Sequence, residues 1–239
     1  MNVYKINKIE DLLANNTYAG RGLIIGKSED GEKAAAAYFI MGRSENSRNR
    51  IFKEENGNVT IYPYDVAKVK DPSLIIYSPV KSFENKLIVT NGNQTDTIYD
   101  YLKIGKTFED ALSVRDFEPD APNYTPRISG LLDFEDGGFT YKMNILKSED
   151  ENGSACERFT FSYSPVNGLG HFIHTYVCDG NPVPSFYGEP ERIYIPNDAA
   201  TFADAIWNNL NSDNKISLYV RFINLKTGKK ENILINKNK

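Results

Sequence analysis

Cysteine is nearly absent: the 239 residues hold two, Cys156 and Cys178. Neither belongs to a CxxC pair, so the spacing gives neither a zinc site nor a disulfide framework, and both are expected as reduced, half-buried thiols. Histidine is as scarce, with only His171 and His174. They stand three apart in a segment of strand character, where side chains alternate, so they face opposite sides and cannot share one metal. Long apolar runs are missing too. The opening MNVYKINKIEDLLANN has neither the apolar stretch of a signal peptide nor the length of a membrane span. The expectation is a cytoplasmic protein that meets no membrane. An excess of basic charge is also lacking: the formal net charge is −4, which argues against a general nucleic-acid binder. The one phosphate-loop lookalike, GLIIGKS at 22–28, carries Arg21 where the Walker pattern needs glycine and leads into a turn instead of a helix.

What is present is a strand-rich chain with one change of rhythm. Residues 1–17 are polar and read as a leader or short helix outside the main fold, with one domain over 18–239. Apolar runs at 22–27 and 35–41 flank Ser28-Glu29-Asp30-Gly31, an Asp-Gly hairpin signal. Further strands are expected at 59–64, 74–79 and 86–90. The period then changes. Ile98, Tyr101 and Leu102 have helical spacing over 96–104, with Thr95 or Asp96 as the cap. Thr107-x-x-Asp110 resembles a capping box that opens a second helix, which Pro119 would stop. Strands return at 138–146, 157–163, 170–178 and 192–195, then a helix at 199–210 and a last hairpin at 216–225 and 232–235 around Thr227-Gly228. Strands, helices, strands, helix: the order points to an α+β layered domain with mostly antiparallel sheets.

Three polar segments stand out against that scaffold. RSENSRNR at 43–50 concentrates Arg43, Arg48 and Arg50 in an otherwise acidic chain, and arginine forks match phosphate and carboxylate oxygens. TNGNQTDT at 90–97 joins a strand end to a helix start, where Gly92 and free backbone N–H groups suit phosphate or ribose oxygens. FEPDAPNYTPR at 117–127 places Glu118 where a helix would end, a site at which the helix dipole opposes a carboxylate. Tyr77 brings a hydroxyl to the end of an apolar strand. The pattern suits a small polyanion with one acid among cations.

Together these segments resemble the archaeal-type IMP cyclohydrolase family, in order along the chain. Ala19-Gly20-Arg21 is similar to the family's opening Gly-Arg, and Arg43-Ser44…Asn49-Arg50 resembles its RSFPNR. Asp71-Pro72…Ile76-Tyr77 resembles NPYIAYN, and Asn91-Gly92…Thr95-Asp96-Thr97-Ile98 resembles SNGSHTDTI. Asp116-Phe117-Glu118 and Thr125-Pro126-Arg127 resemble DYE…NTPR. The similarity is close over about 18–130 and looser beyond, apart from Thr175-Tyr176. Two extra residues precede Asn49-Arg50, and Ser78 replaces an amide.

The resemblance implies a four-layer αββα sandwich like that of N-terminal-nucleophile hydrolases, without their chemistry, since Met1-Asn2 offers no nucleophile. It implies ring closure of 5-formamidoimidazole-4-carboxamide ribotide to IMP in purine biosynthesis. Arg50, Tyr77 and Glu118 match the catalytic positions, while Arg43, Ser44, Asn49, Asn91, Gly92, Thr95, Asp96 and Arg127 would bind the nucleotide or shape its pocket. No metal or organic cofactor is called for. The expected partner is a small purine nucleotide, with homo-oligomer formation left open. Two alternatives stand beside this: a purine-nucleotide-binding relative without turnover, and an amide hydrolase on the same scaffold, which lacks an evident nucleophile.

Overall fold

The computed structural model describes residues 2–69 and 76–238. Its strands form two sheets in which every adjacent pair is antiparallel. The first sheet is built around the expected hairpin: β1 (Arg21–Lys27) and β2 (Lys33–Met41). Flanking them are β10 (Leu169–His174) with β11 (Glu191–Tyr194) on one side and β12 (Lys215–Asn224) with β13 (Lys230–Asn236) on the other. The second sheet is a meander in sequence order: β3 (Arg50–Glu55), β4 (Asn58–Pro63), β5 (Val80–Phe83), β6 (Lys86–Thr90), β7 (Arg127–Glu135), β8 (Gly138–Ser148) and β9 (Cys156–Tyr163). Its strands β3, β5 and β7 were not expected from the sequence, because charged or polar residues interrupt their short apolar cores.

Three apolar clusters hold these elements. The largest joins the two sheets face to face: Leu23, Ile25, Ala36 and Tyr38 of the first meet Phe52, Ile61, Val89, Ile128, Leu132 and Met143 of the second. Alternation sends the other strand residues outward. Ile24, Ala37, Phe39 and Val220 pack beneath α1 (Ile9–Ala14) and α5 (Ala199–Asn209). Ile88, Leu131 and Leu146 of the second sheet pack beneath α3 (Gln94–Lys103) and α4 (Phe108–Ser113). Stretch 1–17, expected outside the main fold, therefore supplies Ile9 and Leu13 to a buried cluster. His171 and His174 do face opposite sides: His171 meets Tyr141 of the second sheet, and His174 stacks on Phe172.

Several local expectations shift. The α3 helix starts earlier than its proposed caps, at N-cap Asn93, which makes no side-chain cap bond. Thr107 and Asp110 do form a reciprocal capping box, but α4 ends at Ser113, well before Pro119. Glu118 therefore sits in irregular chain and not at a helix C-terminus, and the dipole argument for it does not apply. The strand expected at 74–79 falls partly outside the described residues, and 76–79 form no strand. The strand expected through Cys178 stops at His174. Among the described residues, no helix is long and apolar enough to cross a membrane.

Candidate active site

Antiparallel pairing gathers particular strand ends at one pole. Arg21, which opens β1, lies opposite Ile40 near the end of β2, and Gly22 lies opposite His174 at the end of β10. In the second sheet, Arg50 opens β3, and Thr90 at the end of β6 pairs with Ser129 near the start of β7. Polar side chains from both sheets meet there, above the shared apolar cluster.

Two guanidiniums form the deep part. Arg21 and Arg50 each keep some surface open, yet the Nε of each is buried without a hydrogen-bond partner. Burial holds the Arg50 pKa below its ordinary value, and the neighbouring Arg21 charge adds to that. For Arg21 burial works in the same direction, but Tyr18, Tyr176, Tyr77 and Tyr38 outweigh it and raise the pKa. Tyr38, fully buried in β2, has its hydroxyl 3.4 Å from that of Tyr77. Burial, then Tyr77, pushes the Tyr38 pKa well up, so it stays a neutral donor.

A third guanidinium, Arg127, lies like Arg21 and Arg50 within the electrostatic influence of Tyr77. Arg127 Nη1 lies 2.8 Å from Glu118 Oε1 and donates to Gln94 Oε1 at 2.9 Å. Burial lowers the Arg127 pKa; Glu118 opposes that and Arg115 reinforces it. Gly92 is required beside this pair: a Cβ there would stand 2.5 Å from both Arg127 Nη1 and Gln94 Oε1, and 3.2 Å from Glu118 Oε1. The Glu118 loop is tied back by its own N–H, which donates to Thr125 O at 2.9 Å.

The other expected site residues divide. Asn91 is a brace: its Nδ2 donates to Pro126 O, while its Oδ1 accepts from Ile128 N and Gln94 Nε2. Thr95 is a second brace, within 2.6 Å of Thr90 Oγ1 and donating to Gly92 O. Asn49 closes a loop with Asp65 through reciprocal bonds. Ser44 caps the short helix α2 (Glu45–Arg48) in a capping box with Ser47. Arg43 lies on the exposed side, over the Tyr18 ring and bonded to Asp179 and Gly180 O. Asp96 is ion-paired to Lys81 and largely open to solvent.

In the sequence Arg21 and Tyr176 stand only as positions that match the family, without a site role, and Tyr38 and Tyr18 are not singled out. Tyr176 stacks on Tyr18 and bonds Thr125 Oγ1, which in turn donates to Asp120. The available signal was Gly20, at φ +75°, where a Cβ would meet Thr175 Oγ1 at 2.2 Å and the Tyr176 ring at 2.5 Å. A glycine demanded by such close approach points at the residues on both sides. Among the described residues, no group of three or more His, Cys, Asp or Glu could hold a metal.

The arrangement offers cations and phenols to an oxygen that gains charge, and beside them one carboxylate held by an arginine. Residues 18–229 match the family described as IMP cyclohydrolase-like protein. Among individual relatives, the IMP cyclohydrolase of Methanococcus maripaludis (strain C7) is 35% identical over 194 residues, covering 77% of this chain and 94% of that protein. The IMP cyclohydrolase of Methanococcus aeolicus is 31% identical over 166 residues, or 67% and 75% of the two chains. That of Methanopyrus kandleri is 35% identical over 163 residues, or 66% and 75%.

Proposed function

The chain belongs to the IMP cyclohydrolase-like family, and we propose that it closes the purine ring of 5-formamidoimidazole-4-carboxamide ribotide to give IMP and water. The observation that carries this reading is that Arg21, Arg50 and Arg127 all lie within the electrostatic influence of Tyr77, with Glu118 paired to Arg127 at 2.8 Å. Simple phosphate binding would need the cations and not the acid.

The reaction sets two tasks. An amide nitrogen is a poor nucleophile, and the formyl oxygen must accept charge as the nitrogen attacks. Arg50 and Tyr77 are assigned to that oxygen, where preorganised donors in a water-poor site are most effective. Glu118, held by Arg127, takes a proton from nitrogen and returns one to the departing oxygen. Holding the carboxamide and formamide side chains of one ring in contact supplies the rest, as orientation. Arg43, Asn91, Gly92 and Thr95 shape the walls and the nucleotide's seat, and Asn49 and Ser44 hold the loop that presents Arg50. Asp96 sits at the rim. Work in purine biosynthesis implies a cytoplasmic location.

The same reading extends to the fold. The helices α1 and α5, the first sheet, the second sheet, and α3 with α4 form a four-layer αββα order, as in N-terminal-nucleophile hydrolases. The three apolar clusters support it.

The test is ultraviolet detection of IMP formed from the purified formylated ribotide. Turnover that depends on Glu118 is the expected result. Tight IMP binding with no turnover by the native chain would refute the enzymatic reading in favour of a binding protein.

A further inference from the structure

We propose that Arg21 is a further catalytic residue, which joins Arg50 in holding the formyl oxygen as that oxygen becomes negative. This rests on the cyclohydrolase reading above.

The first argument is that both cations lack a partner. Each of the other seven arginines has a hydrogen-bonded or ion-paired partner. Among the described residues, the Arg21 and Arg50 side chains have neither, and the Nε of each is an unpaired buried donor. Two neighbouring cations left this way are costly to bury, and an anionic oxygen between them removes the cost. No carboxylate of the described chain does so.

The second argument is placement. Arg21 and Arg50 come from different sheets, yet both act electrostatically on Tyr77 and Tyr38. The Tyr38 and Tyr77 hydroxyls, 3.4 Å apart, therefore lie in the field of both guanidiniums. The backbone of Arg21 is fixed, because its main-chain N–H donates to Thr175 Oγ1 at 3.1 Å and Gly20 lets the chain approach that residue. The Tyr18 and Tyr176 rings, stacked at 5.7 Å, close one side.

The step balances as follows. The carboxamide nitrogen forms a bond to the formyl carbon, and the carbonyl electron pair moves onto oxygen, which Arg21 and Arg50 stabilise. That oxygen then collects one proton from the attacking nitrogen and one from the formamide nitrogen. The carbon–oxygen bond breaks, water leaves, and the carbon–nitrogen double bond forms.

The experiment compares native protein with Arg21→Gln and Arg21→Lys by steady-state kinetics and by calorimetric binding of IMP and of inosine. Arg21→Gln is expected to lower kcat by about 10²–10³-fold, with IMP affinity within about threefold and the preference for IMP over inosine unchanged. Arg21→Lys should recover part of kcat, because it keeps charge and loses the fork. If Arg21→Gln does not fold, Arg21→Lys decides alone: a kcat at least about tenfold lower with IMP affinity kept supports the role. Unchanged kcat overturns it. So does collapse of the IMP-over-inosine preference, which would make Arg21 a phosphate ligand. Absence of turnover in the native protein would instead remove the underlying reading.

Discussion

Glu118 Oε1 lies 2.8 Å from Arg127 Nη1, and the same nitrogen donates to Gln94 Oε1 at 2.9 Å. Arg127 is the buried member, with a side chain 8% exposed against 33% for Glu118. One oxygen of the carboxylate is held by Arg127 while a third of the side chain stays open to solvent. This is the geometry of an acid held in orientation but free to exchange a proton. Glu118→Gln keeps an oxygen for Arg127 and removes the exchange. It should lower kcat by about 10²–10⁴-fold with IMP affinity changed only a few-fold. Equal losses in kcat and in affinity, measured by kinetics and calorimetry, would mean that Glu118 only binds.

Tyr77→Phe removes a single hydroxyl from the meeting point of the two sheets. A fall in kcat of about 10²-fold is expected, with KM nearly constant, since the lost donor acts on charge that exists only in the transition state. A rise in KM with constant kcat would count against the assignment.

Gly92→Ala adds one methyl against Arg127 Nη1 and Gln94 Oε1. The pair must separate, so the expected outcome is a stability loss of about 1–3 kcal/mol together with a fall in kcat. Thermal unfolding and kinetics on one preparation check both.

His171 gives a pH prediction. Its ring accepts or donates at Tyr141 OH, 2.6 Å away, and stacks on Tyr163. Burial, then the Arg192 charge, lowers its pKa to about 4. The unfolded chain binds that proton near pH 6.5 while the folded chain does not, so this contribution is present above about 6.5 and is lost as pH falls toward 4. His171→Phe should flatten the denaturation midpoint across that window. An unchanged slope would place the acid sensitivity elsewhere.

Glu54 offers a control away from the site. Its Oε1 lies 3.2 Å from the fully buried Arg221 and accepts from Asn232. Glu54→Ala should destabilise the chain by about 3 kcal/mol in urea titration without changing kcat at a temperature where it is folded.

Elements whose signals are local were legible in the sequence. The Ser28–Gly31 turn, the Thr107–Asp110 capping box and the last hairpin all depend on neighbours within a few residues. Helix length was less so: α4 stops at Ser113, and Pro119 merely lies in the chain that follows. The proposed site was readable in the sequence where charge marks it, at Arg50, Glu118 and Arg127. Arg21 and Tyr176 entered only as positions that match the family, with no role assigned, and Tyr38 lay within an apolar strand. Their importance comes from pairing across strands far apart in sequence, which no local pattern encodes. Asn91 and Thr95 illustrate the reverse. Polar and close to a glycine, they resembled ligands, and their hydrogen bonds go to the backbone that supports Gly92 and Arg127.

Arg21 and Tyr38 stand on one sheet, while Arg50 and Arg127 open strands of the other. The groups assigned to the reaction thus keep their spacing only while the two faces remain seated on each other. A small slip in the apolar seam, such as a shortened side chain at Leu132 or Ile128, would move one half of the chemistry relative to the other without touching a polar atom. Turnover then becomes a ruler for how well the halves are aligned.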